Sequence, residues 1–132
     1  MLYAIGWQES QFEHRHQVGG PAHGFWQFEM NGGVRGIMSH PSTAMIVPDV
    51  LKTLLYHKDA NVKAVHTAIE HNDVLAACCA RLLLWTLPGP LAALDNPQAG
   101  WDQYRAAWRP GKPHPNTWLT AWAHATSARQ MW

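Results

Sequence analysis

Cysteine is nearly absent: Cys78 and Cys79 are the only two in 132 residues. Neighbouring residues on a helix turn their side chains apart, so this pair makes no ordinary disulfide. Both read as small buried residues of a chain made in a reducing compartment. Charge of one sign is lacking too. Ten Lys and Arg against nine Asp and Glu leave a formal net charge of +1, so composition gives no reason to expect nucleic acid as a partner. No apolar run is long enough to span a bilayer. The longest is interrupted by Arg81, and no membrane insertion is expected. Met1 to Gly6 lacks the basic region of a secretory signal and leads directly into a helical pattern, so no signal peptide is expected. No Gly-rich phosphate loop follows a strand, and no Ser-His-Asp arrangement stands out. Repeats, low-complexity tracts and linkers are also missing, so residues 1–132 read as one domain, long enough to bury a core.

What is present is mostly helical periodicity. Leu2, Ile5, Glu9 and Phe12 share helical spacing, which predicts a first helix ending near Ser10 or Phe12. Glu13 to His23 is polar, Gly-rich and read as a loop. Gly24 to Glu29 alternates aromatic and polar residues as a short strand does, and Asn31-Gly32-Gly33 is a turn signal that could close a small hairpin. A short helix is expected from Val34 to Ser39. Ser42 and Thr43 are plausible caps of another running to Tyr56, begun or kinked in its second portion at Pro48. Val62, Val65 and Ile69 mark the next. Asn72 or Asp73 caps Val74 to Trp85, apolar nearly all round and the expected hydrophobic centre. Asn96 caps a helix with Pro97 in its first turn and Trp101, Tyr104 and Trp108 on one face. A last helix carries Trp118, Trp122 and Ala125. The fold class is mainly α (α+β): a helical domain with a small β-hairpin.

Glu9 stands where an apolar side chain is expected. Either it turns to solvent at the helix end, or it is buried and its pKa rises. A carboxylic acid still protonated near neutral pH can protonate a leaving-group oxygen. The eight tryptophans serve either a core or the stacking of sugar rings on aromatic planes. His14, His16 and His23 lie in the loop after Glu9. An i, i+2 histidine pair can bind zinc, but no third or fourth ligand has suitable spacing, so neither a metal nor a cofactor is expected.

Glu9-Ser10, then Phe12, a loop, and Gly24-Phe25-Trp26-Gln27 together resemble the lysozyme-like superfamily, and more narrowly the soluble lytic transglycosylases and goose-type lysozymes. Their pattern is a helix ending in Glu-Ser followed by Gly-Leu-Met-Gln on a strand. Phe25-Trp26 here replaces Leu-Met. A third family motif, Ala-Ala-Tyr-Asn-Ala-Gly, is met loosely by Ala106-Ala107-Trp108-Arg109-Pro110-Gly111. That later segment, through Pro113, is also similar to small phage and prophage lysozyme-like proteins. The first two motifs cover about thirty residues, and their order and spacing make them fairly specific.

The resemblance implies a lysozyme-like fold and cleavage of peptidoglycan at the β-1,4 bond between N-acetylmuramic acid and N-acetylglucosamine. Glu9 would be the general acid. Goose-type lysozymes carry an acidic residue two after the Gln, which makes Glu29 the second catalytic candidate; otherwise Glu29 is an exposed charge at the hairpin's end. Ser10, Gly24 and Gln27 are implied substrate-binding residues. Ser10 could equally satisfy a backbone carbonyl, and Gly24 be a plain turn glycine. Tyr104, Trp108 and Arg109 are further substrate-binding candidates, although an aromatic stripe at helical spacing is also how a core is built. Trp26 is read as packing. The alternatives are a lytic transglycosylase, in which Glu9 alone acts as acid and then base to give 1,6-anhydro products, and a lysozyme-like module that binds glycan or a partner without cutting. Bacterial peptidoglycan is the expected partner. The expected state is a monomer, made in the bacterial cytoplasm and acting on the cell wall as an endolysin, or as part of a bacteriophage virion.

Overall fold

The computed structural model describes residues 1–131. It is mainly α-helical. The helices are α1 (Leu2–Ser10), α2 (Arg35–Ser39), α3 (Val47–Thr53), α4 (Val62–His71), α5 (Asp73–Trp85), α6 (Pro97–Trp108) and α7 (Pro115–Gln130). No helix among the described residues is long and apolar enough to cross a membrane.

α5 is the centre. It packs against α1, α2, α3, α4 and α6, and it buries Leu75, Ala76, Cys79, Ala80, Leu82, Leu83 and Leu84. The Asn72 side chain caps it by accepting from the Leu75 N–H at 3.0 Å. The stripe of Val74, Cys78, Arg81 and Trp85 is its outer face, with Trp85 54% exposed and Arg81 lying over the Trp85 ring, 5.1 Å from its centroid. Burial pushes the Cys79 thiol up, with Cys78 adding to the shift, so it stays an inert apolar filler.

α1 packs mainly on α7. It stops at Ser10 because Gln11 and Phe12 take left-handed backbone, φ 52° and 58°. Phe12 is thereby folded back over Gly6, where an added Cβ would lie 2.5 Å from Phe12 Cζ. It packs there on Tyr3 and Trp26. The expected helical stripe through Phe12 is thus a stripe to Glu9 followed by a reversal.

The expected strand and hairpin take another form. Among the described residues no strand forms; His23 makes isolated antiparallel bridges to His16 and to Phe28. Gly24 to Gln27 is a turn, with Gly24 at φ 74° and the Gln27 N–H bonded to the Gly24 carbonyl at 2.9 Å. Gln27 itself is left-handed at φ 50°, so the alternation of side chains that a strand would impose is lost. Asn31-Gly32-Gly33 belongs to a π-helical turn, Met30–Val34, that runs into α2. At Gly33 a Cβ would meet the Phe28 ring at 2.7 Å, so the glycine serves close packing and not a two-residue hairpin turn.

The helix expected from Ser42 or Thr43 to Tyr56 is confined to Val47–Thr53, with Pro48 in its first turn. Thr43 is buried, and its hydroxyl donates to the Ile37 carbonyl at 2.6 Å instead of capping α3.

Gly24 offers a test of this packing. A Cβ there would lie 2.7 Å from Ile69 Cγ2 on α4, on a backbone with positive φ. Left-handed strain and overpacking together make Gly24→Ala destabilising by about 2–4 kcal/mol. Urea unfolding followed by tryptophan fluorescence reads this as a lower midpoint at unchanged slope.

Candidate functional site

Glu9 lies on the last turn of α1, where the reversal at Gln11 and Phe12 leaves its side chain facing α6. The Tyr104 hydroxyl donates to Glu9 Oε1 at 2.6 Å, across 95 residues of sequence. Tyr104 is held by its own packing: its ring stacks on Trp118 at 5.3 Å with an interplanar angle of 11°, and it is 3% exposed.

Glu9 keeps some surface toward a cleft, but protein crowds its carboxyl on most sides. Burial raises its pKa to about 7, the Tyr104 hydrogen bond holds it down in part, and the charge of Glu29 pushes it up further. Burial, then the charge and hydrogen bond of Glu9, raise the Tyr104 phenol so that it remains a donor.

The cleft has a volume of about 730 Å³, within the ordinary range for a ligand site. Glu9, Gln27, Glu29, Tyr104, Trp108 and Arg109 all line it. Glu29 is exposed. Gln27 directs its amide nitrogen back to the Gly24 carbonyl at 2.9 Å, so half of that amide is used within its own turn. The Trp108 indole donates to the Trp26 carbonyl at 2.8 Å, fixing α6 against the 24–29 turn. Arg109 ends α6 in left-handed backbone, φ 50°, and is exposed at the cleft's edge.

Two expected site residues are placed elsewhere. The Ser10 hydroxyl donates to the Phe25 carbonyl at 2.7 Å, so it ties α1 to the turn and is not bonded to Glu9. Gly24 presents its bare Cα to Ile69 and Ala76; its missing side chain makes room for the core and not for a ligand. Trp26 is buried, with its indole donating to the Leu2 carbonyl at 2.8 Å, which is the packing role expected of it.

Gln8, Gln17, Asn31, His40, Lys112 and His114 also line the cleft and were not singled out in the sequence. They come from five separate stretches of chain, and isolated polar residues in loops carry no spacing signal. Gln8 has one usable clue, its place beside Glu9. It donates to the His114 carbonyl at 3.0 Å and accepts from Thr117 at 3.0 Å, joining α1 to α7. A separate depression of about 600 Å³, lined by residues including Tyr56, Asn61, Lys63 and His71, contains no carboxylate. The chemistry therefore favours the Glu9 cleft.

The histidine loop also meets a third polar group that sequence spacing did not offer. His16, His23 and Glu70 converge, with one ligand atom from each lying within 4.8 Å of the others. Glu70 is 47 residues beyond His23, so no local spacing could reveal it.

A carboxyl whose pKa is raised on folding favours the folded state most below its unfolded pKa, and that contribution is lost as pH rises through the folded pKa. For Glu9 the window runs from 4.5 to about 7. Glu9→Gln removes the ionised group, so it should stabilise the protein by up to ~3 kcal/mol at pH 8 and hardly at all at pH 4.5. Paired denaturant melts at the two pH values measure this; equal effects at both would contradict the raised pKa.

Comparison of the chain with protein-family models, curated proteins and solved structures found no match, so a functional reading rests on the geometry of this cleft and the residues that form it.

Proposed function

We propose that this chain is a lysozyme-like enzyme that cleaves peptidoglycan glycan strands at the β-1,4 bond between N-acetylmuramic acid and N-acetylglucosamine. One observation carries the reading: a carboxyl held protonated to about pH 7, oriented by a buried tyrosine, opens onto a cleft that also holds a second carboxylate. Paired carboxyls in unlike environments are the usual machinery of glycoside hydrolysis. The Glu-Ser helix end and the Gly-Phe-Trp-Gln turn add the resemblance to goose-type lysozymes and lytic transglycosylases, and with it a lysozyme-like fold.

In this reaction Glu9 donates its proton to the glycosidic oxygen as the bond to C1 of the muramyl residue breaks. Positive charge builds on C1 and the ring oxygen. Water adds to C1 and gives up a proton to the exposed carboxylate of Glu29. The products carry one new non-reducing end, the free hydroxyl on the departing glucosaminyl unit, and one new reducing end, the hemiacetal on the muramyl unit. Trp108 and Arg109 line the cleft beside the turn, and Gln27 offers its amide oxygen to a sugar N–H or hydroxyl.

Mass spectrometry of digested peptidoglycan tests this, with Glu9→Gln in parallel. Reducing muropeptides that fall by ~10³-fold or more in the mutant are expected from loss of a general acid together with its charge. Anhydro-muropeptides would assign a lytic transglycosylase and leave Glu29 without a catalytic role. No products from folded protein on several wall types would sink the enzyme reading and leave a binding module.

The pH profile adds a second test. Glu9 acts as an acid only while protonated, so kcat/KM should fall as pH rises through about 7. Tyr104→Phe removes the hydrogen bond that favours the ionised form, so the alkaline limb should move to higher pH. A limb that stays in place would separate Glu9 from the titration.

A further inference from the structure

Across the cleft loop from Glu9, His16 and His23 face each other as an antiparallel bridge pair, which sets their side chains side by side. Their rings are 4.8 Å apart. Glu70 on α4 reaches between them: His16 Nδ1 lies 3.3 Å from Glu70 Oε1, and His23 Nε2 lies 3.5 Å from Glu70 Oε2. Ligand atoms at the corners of a tetrahedron around zinc, each ~2.0–2.1 Å from the metal, are separated by roughly 3.3 Å. The two His–Glu spacings are close to that edge, and one ligand atom from each of the three residues lies within 4.8 Å of the others.

The second layer fits as well. His23 Nδ1 donates to the His66 carbonyl at 2.9 Å, so in the neutral ring Nε2 carries the lone pair, and Nε2 is the atom aimed at Glu70. A backbone carbonyl in this position is the usual partner that fixes a metal-binding tautomer. The His23 ring is held flat against His66, 3.7 Å between centroids at 5°, and His66 is itself anchored by donating from Nε2 to the Phe28 carbonyl at 2.9 Å. The neighbouring cation, Arg15, is occupied: it makes a two-pronged bond to Asp73 at 2.9 and 2.8 Å. His16 is exposed while His23 and Glu70 are half-buried, which leaves an open side for entry and for a water as fourth ligand.

We propose that His16 Nδ1, His23 Nε2 and the Glu70 carboxylate form a binding site for a divalent transition metal of the zinc class, which pins the loop after α1 to α4. Two imidazoles and one carboxylate suit zinc and its neighbours over magnesium or calcium, which prefer all-oxygen shells. The loop so pinned contributes Gln17 and Ala22 to the Glu9 cleft. The ion is therefore structural support for one cleft wall and is separate from the acid.

Titration of the purified chain with Zn²⁺ by calorimetry, and with Co²⁺ by visible absorption, tests this directly. The expected result is one ion per chain, with the ligand-field bands of four-coordinate Co²⁺ displaced by Zn²⁺. At ~100-fold excess over Kd the Tm should rise by about 8 °C. Glu70→Gln and His16→Ala should each weaken binding by ~100-fold or more, since even loss of an outer-layer partner costs about 10–100-fold. His14→Ala, on the same loop but outside the cluster, should leave it unchanged. Absence of binding by the folded wild type would overturn the site. So would equal binding by Glu70→Gln, or a loss in His14→Ala as large as in His16→Ala. None of these readouts depends on wall cleavage, so they fail or succeed apart from the function proposed above.

Discussion

The hydrogen bond from Tyr104 to Glu9 joins the end of α1 to the middle of α6, and the shape of the cleft depends on it. A carboxyl crowded by protein favours its neutral form, and left alone it would draw α1 outward toward water as pH rises. The phenol supplies a partner that survives ionisation, because burial and the adjacent carboxylate keep its own proton in place. Glu9 can then titrate without moving. A second bond, from the Trp108 indole to the Trp26 carbonyl, fixes the same helix to the turn that bears Gln27. Between these two bonds α6 is registered against both α1 and the 24–29 turn, and the cleft is the polar seam that remains.

The tryptophans explain how so small a chain holds that seam rigid. Trp26, Trp108, Trp118 and Trp122 each donate the indole N–H to a backbone carbonyl at 2.8 Å, on Leu2, Trp26, Pro97 and Leu94 respectively. Each therefore places a large aromatic ring while giving its own indole N–H a partner, on the first turn of α1 and of α6 for Trp26 and Trp118 and in non-helical turns for Trp108 and Trp122. The bonds join segments distant in sequence, so they act as staples between elements. Trp101, Trp118 and Trp122 form a continuous aromatic layer with Tyr104. Of the tryptophans among the described residues, Trp108 is the one that lines the cleft. The high tryptophan content is thus mainly architecture, and among the described residues Trp108 alone adds an indole to the cleft lining.

The helices were legible because each has a local cause. Asn72 and Asn96 cap α5 and α6 through the side chains, and the apolar run of α5 marked the core. Glu9 was legible as an apolar slot holding a carboxylate. The turn from Gly24 to Glu29 was not, because aromatic and polar alternation describes a strand only while every residue keeps extended backbone. Gln27 leaves that region at φ 50°, and the reason is tertiary: Gly24 packs on Ile69 and Phe28 fills the space beside Gly33. Tyr104 was visible as one of an aromatic stripe, but its bond to Glu9 spans 95 residues and no spacing rule reaches that far. The convergence of Glu70 on His16 and His23 was hidden for the same reason: the glycines between the histidines read only as a loop, and Glu70 lies on a distant helix.

The distribution of backbone strain bears on why this cleft exists. Five non-glycine residues among those described have positive φ: Gln27 and Arg109 line the Glu9 cleft, Gln11 and Phe12 follow Glu9 at the end of α1, and Leu55 lies apart. Left-handed backbone costs roughly 1–2 kcal/mol for an ordinary residue, so about 4 kcal/mol or more is concentrated around one feature. The buried carboxyl adds to that above neutral pH. A chain selected only for stability would place glycine or asparagine at such positions and an apolar residue at position 9. Each of these residues other than Leu55 has a geometric consequence: Gln11 and Phe12 end α1 at Ser10, Gln27 lines the cavity, and Arg109 stops α6 just after Trp108. Gln11 and Arg109 are at the same time the left-handed caps that close α1 and α6, a common way for a helix to end. The same backbone reversals that end the two helices therefore set where the walls of the cleft begin, and the cleft is a consequence of how α1 and α6 stop.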